Sequence, residues 1–167
     1  PVALFRRAPY LGVIAVLVLA GTSSAAILDY LFKAGAGAEF GKGAPLLRFF
    51  AIFYTSAQVL TFFAQSFLAP QVLARYGIGR TVSALPLGVG AGALGALLAP
   101  VFPVFTAVRA VEFGLRGSLY RSGYELLYTP VPAPEKRAAK TLIDVACDRA
   151  GDAFGSGIVQ LMLSFGA

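Results

Sequence analysis

Three stretches of this chain carry no formal charge: Ala8 to Leu28, Phe49 to Ala74, and Thr81 to Val108. Each exceeds the ~20 residues with which a helix crosses a bilayer. Alternation of apolar and polar residues, the mark of an outer-membrane strand, is absent, so helices are the spanning structure to expect. Glycine and proline punctuation divides the chain into about five helices by the usual start and stop signals. They run from Pro9 to Leu31, Leu46 to Leu73, Thr81 to Pro100, Pro103 to Tyr124, and Arg137 to Phe165. A flexible connection, KAGAGAEFGKGAP, is expected after the first, the turn ARYGIGR between the second and third, and TPVPAPEK before the last. The fold class predicted is all-α, a polytopic transmembrane helical bundle.

Composition agrees. The chain is 57% hydrophobic with 13% charged residues and a mean hydropathy of +0.75, against about 25% charged residues in soluble domains. The single Cys147 and the absence of histidine exclude a disulfide framework, a cysteine metal cluster and Ser-His-Asp catalysis. No catalytic residue, cofactor or metal is expected. The net charge of +6 reads as cations flanking helix ends rather than as a nucleic-acid surface. Arg6, Arg7, Arg75, Arg80, Arg121, Lys136, Arg137 and Lys140 fall on one side of the expected bundle, against Lys33, Lys42 and Arg48 on the other. That bias puts the first residues in the cytoplasm. A secretory leader over residues 1–26 is disfavoured, because its apolar run is long and the chain beyond it is itself apolar.

Charge inside the apolar spans is the informative departure. In the last span, Lys140, Asp144, Asp148 and Asp152 recur every four residues and make one polar stripe. Asp152 lies roughly 18 Å along the axis from Lys140, near the middle of a ~30 Å hydrocarbon layer. Ionised groups at that depth face a protein interior or water and usually mark a pathway. Arg149 lies about 100° from Asp148 on the helical wheel and turns toward a different neighbour. The plainer alternative is a solvated acidic face on a short cytoplasmic helix.

The fourth span repeats the theme. Arg109, Glu112 and Arg116 recur at three and four residues and share a face, with Glu112 about 14 Å in from Pro103. They line a cavity for an anionic solute or form a self-neutralising pair with one snorkelling arginine. Ion pairs between this face and the aspartate stripe would suit a bundle that switches between two arrangements. Gln58 and Gln65, with Thr61 between them, make a polar face that serves helix-to-helix hydrogen bonding or, for Gln58, solute contact. Gly88 and Gly92 form a GxxxG pair expected to let another helix approach closely, and Pro86 is expected to kink the same helix.

In chain order, LDYLFKAGAGAEF, QSFLAPQVLARYGIGRTVSALPLG, RAVEFGLRGSLYRSGYELLYTPVP and AAKTLIDVACDRAGDAFGS resemble the ATP/ADP-translocase-like nucleotide transporters, a family related to the major facilitator superfamily. The resemblance spans about Pro9 to Met162. It implies a twelve-helix carrier in which this chain is an incomplete half, helices seven to about eleven, whose partner is the missing N-terminal bundle. One departure matters: the family's nucleotide exchangers carry a lysine after a glycine, where this chain has Gly151-Asp152. A carboxylate there repels phosphate, so adenine-nucleotide exchange is one option among several.

The function expected is a secondary transporter in a bilayer, the bacterial inner membrane being the expected location, that moves a small anionic solute (a nucleotide is one candidate) by alternating access. Arg109, Glu112, Arg116 and Gln58 would contact solute. Lys140, Asp144, Asp148, Arg149 and Asp152 would couple an ion or switch ion pairs. The alternative is a non-transporting membrane anchor or regulatory module attached to a cytosolic sensor domain. An intramembrane enzyme is disfavoured, since paired aspartates there sit on two facing helices and here they share one.

Overall fold

The computed structural model describes residues 9–165. Arg6 and Arg7, which enter the charge-bias argument, lie outside the described residues. Among these residues the chain is all-α, in four helices: α1, Pro9–Phe40; α2, Ala44–Leu98; α3, 102–127; and α4, 133–165. Two of them, α1 and α2, are long and apolar enough to cross a membrane.

The count is four rather than the expected five because the ARYGIGR turn never leaves helical geometry for more than one residue. Gly77 alone departs, at φ 76° and ψ 174°, a conformation open to glycine because it has no Cβ. Its carbonyl accepts from Thr81 Oγ1 at 2.7 Å. Helical torsions resume directly after it, so two helical arms meet at this one residue and the direction changes. On one arm of α2, Phe49 meets Phe102, Tyr54 meets Phe113, and Thr61 meets Gly117. On the other, Val82 meets Gly123, while Gly88 meets Leu115 and Gly92 meets Val108. The first arm thus ascends α3 and the second descends it. Backbone torsions stay helical at Pro86, so the break belongs to Gly77.

The first helix also runs beyond its expected end. The glycine-rich stretch after Leu31 continues as helix to Phe40, and the chain breaks only at Gly41 and Gly43, both with positive φ. Each helical glycine costs about 1 kcal/mol against alanine, and packing offsets it. Phe32 is fully buried, with its ring 4.5 Å from that of Phe53 and 6.4 Å from that of Phe102. Ala36 is fully buried too, and Gly35 lies flush against the Phe102 ring.

Three π-turns interrupt the helices: Ala64–Leu68 in α2, Arg116–Tyr120 in α3 and Leu142–Cys147 in α4. Each takes in about one extra residue and sets everything beyond it back by roughly 100° round the axis. In α4 this has a visible consequence. Ala139, Ile143, Gly151 and Gly155 are all buried. Plain α-helix would turn Gly155 about 160° away from Ala139, and the π-turn takes back about 100° of that.

Contacts divide the chain into two compact units. One comprises, of the described residues, 9–30 and 128–165; the other is Leu31–Leu127. In the first, α4 lies against α1 through glycines: a methyl group at Gly155 would sit 2.5 Å from the Ser23 carbonyl oxygen, and one at Gly151 would overlap Thr22 Oγ1. Ser23 Oγ donates across to the Gly151 carbonyl at 3.0 Å. In the second, α3 packs between the two arms of α2, and Gly88 and Gly92 give the close approach expected of them.

Candidate functional site

Glu112 is the most deeply buried charged side chain among the described residues, 1% exposed. It stands ten residues into α3, about 15 Å from the helix start, between the close contacts at Val108 and Leu115 that fit α3 to the second arm of α2. Burial of a carboxylate is costly without charged partners, and the helix supplies two. Glu112 Oε2 accepts from Arg109 Nη1 at 2.5 Å, and Oε1 accepts from Arg116 Nε at 2.5 Å. The spacing of three and four residues on either side brings both guanidinium groups over the same face.

The three side chains differ in access. Arg109 is 13% exposed and Arg116 is 32% exposed. The π-turn begins at Arg116, whose backbone N–H is shared between the Glu112 and Phe113 carbonyls. Such turns concentrate at functional sites. A guanidinium offers five N–H donors and a carboxylate about four acceptor positions. Two guanidinium groups against one carboxylate leave the cluster with a formal charge of about +1, which favours a further oxyanion.

The remaining expected residues divide between the two units. Gln58 and Gln65 are exposed on the first arm of α2, on a different side from Ala57 and Thr61, which are buried. Thr61 lies against Gly117, and its Oγ1 is buried without a hydrogen-bond partner. In the other unit, Lys140, Asp144 and Asp148 are half-buried, while Arg149 and Asp152 are exposed. The aspartate stripe lies one residue, about 100°, past the packed line of Ala139, Ile143, Gly151 and Gly155. It borders the packed line, half-buried from Lys140 to Asp148 and exposed at Asp152.

Sequence reasoning missed Gly151 and Gly155. Their signal was present as a second GxxxG, in GDAFG, and their mates were the consecutive small polar residues of GTSS. Among the described residues, no group of three or more His, Cys, Asp or Glu side chains could hold a metal ion. No family model, curated protein or solved structure matches the chain.

Proposed function

We propose that this chain is part of a polytopic membrane carrier, resembling the nucleotide transporters of the major facilitator type, that moves a small anionic solute by alternating access. The observation that carries the reading is Glu112, buried at mid-length in α3 and held by Arg109 and Arg116. Charge at such depth serves a solute or ion path by default, and two guanidinium groups favour an oxyanion. The length and apolarity of α1 and α2 support membrane insertion. The aspartate stripe on α4, with Lys140 and Arg149 beside it, supplies the coupling or ion-pair-switching groups. Asp152 in place of the family lysine counts against a phosphate bound at that point.

The test is uptake by the full-length protein in proteoliposomes, with ADP and inorganic phosphate as the first solutes. Arg116→Gln and Asp152→Asn are each expected to lower uptake at least tenfold with protein levels unchanged. Wild-type uptake in both variants would remove these residues from transport and leave a membrane anchor for a cytosolic domain as the better reading.

A further inference from the structure

A solute oxyanion and Glu112 compete for the same donors. A carboxylate or phosphate-type group offers adjacent acceptor oxygens, and so does the Glu112 side chain, whose two oxygens already engage Arg109 Nη1 and Arg116 Nε. The arrangement is graded in depth: Glu112 is 1% exposed, Arg109 13% and Arg116 32%. An anion entering from the accessible side meets Arg116 first, where the bond to be exchanged is Arg116 Nε to Glu112 Oε1. From this geometry we infer that Glu112 is a tethered competitor, which occupies the arginines when solute is absent and yields Arg116 to an incoming oxyanion.

The physical gain is continuous charge compensation. Exchange of one carboxylate for another oxyanion keeps the half-buried Arg116 guanidinium neutralised throughout. The consequence is a lowered apparent affinity, since solute binds only in proportion to the fraction of time Glu112 has let go. Weak apparent binding suits release on the far side of the membrane. The inference rests on the anion-carrier reading and specifies how that site is regulated.

The full-length protein in phosphatidylcholine nanodiscs, titrated with inorganic phosphate, tests it. Glu112→Gln keeps the shape of the side chain and removes its charge. It is expected to bind phosphate about tenfold more tightly than wild type or better, and Glu112→Gln/Arg116→Gln is expected to lose that binding. Affinity in Glu112→Gln equal to or below that of wild type, with Arg116→Gln still weakening phosphate, would overturn the competitor and leave the anion site standing. Absence of saturable phosphate binding in all variants would overturn both.

Because Glu112→Gln can fail to fold, the wild-type protein supplies a second measurement. Phosphate is expected to shift a carboxylate stretching band in the infrared difference spectrum, and Glu112→Asp is expected to move that band. A spectrum without any carboxylate change overturns the inference. Repeating the titration with phosphatidylglycerol in the disc separates the two sources of oxyanion. A raised apparent phosphate Kd there supports the shared chemistry and identifies the lipid headgroup as a rival occupant.

Discussion

Both units are closed by glycines, but what those glycines meet differs. In the unit formed by 9–30 and 128–165, Gly151 and Gly155 press on the backbone of α1, at the Leu19 and Ser23 carbonyl oxygens, and on Thr22 Oγ1. In Leu31–Leu127, Gly88, Gly92, Gly117 and Gly123 meet side-chain carbons of Leu115, Val108, Thr61 and Val82. A side chain can change rotamer to make room, whereas a helical backbone cannot move without moving the helix. The same small-residue spacing therefore encodes a rigid seam in one unit and, in the other, one that gives most at Leu115 and least at the β-branched Val108, Thr61 and Val82.

The sharpest way to break this contrast is Gly151→Val. Overlap with a backbone oxygen is expected to exceed the ~3 kcal/mol usual for overpacking, and detergent-solubilised protein should fail to give a monodisperse peak. A well-folded Gly151→Val would mean that the α1–α4 contact is as adjustable as its counterpart. Next in size is Phe32→Ala, which empties the centre of the ring cluster formed with Phe49, Phe50, Phe53, Tyr54 and Phe102. A loss of about 3–5 kcal/mol is expected in denaturant titration. A loss under about 1 kcal/mol would show that α1 does not depend on that cluster beyond Leu31.

Gly92→Ala is expected to cost about 1–3 kcal/mol, because its mate Val108 is β-branched and stiff at χ1. Gly88→Ala should cost less than Gly92→Ala, since the atom it meets first is Cδ1 of Leu115, the far end of a flexible side chain. Equal losses in the two would refute the rotamer argument. Smaller still is Ser23→Ala. It removes the bond to the Gly151 carbonyl and keeps the glycine contact, for about 0.6 kcal/mol as seen for hydrogen bonds between membrane helices. Thermal melts of the pair in one detergent would resolve that order.

The candidate site was partly legible in the order of residues alone. Arg109, Glu112 and Arg116 share a helical face because three and four residues are near one turn, and the Glu112 bonds arise from that spacing. What spacing could not convey was which of the three is sunk deepest. That rank depends on Val108 and Leu115 fitting against Gly92 and Gly88 of the returning arm, a contact between residues far apart in sequence. The aspartate stripe was legible as a line, but its position beside the packed seam was not, because the π-turn at Leu142–Cys147 changes the register between its two halves.

Local chemistry thus determined the helical character, the apolar spans and the charged faces, all of which depend on residues within a turn or two of each other. Tertiary packing decided the rest. Phe32 and Ala36 carry α1 through glycines that would otherwise end it, one glycine torsion at Gly77 joins two helical arms that run opposite ways along α3, and the neighbours of Gly151 determine which side of α4 is left for its acids. Those outcomes turn on volume and shape at long-range contacts, quantities that no local spacing encodes.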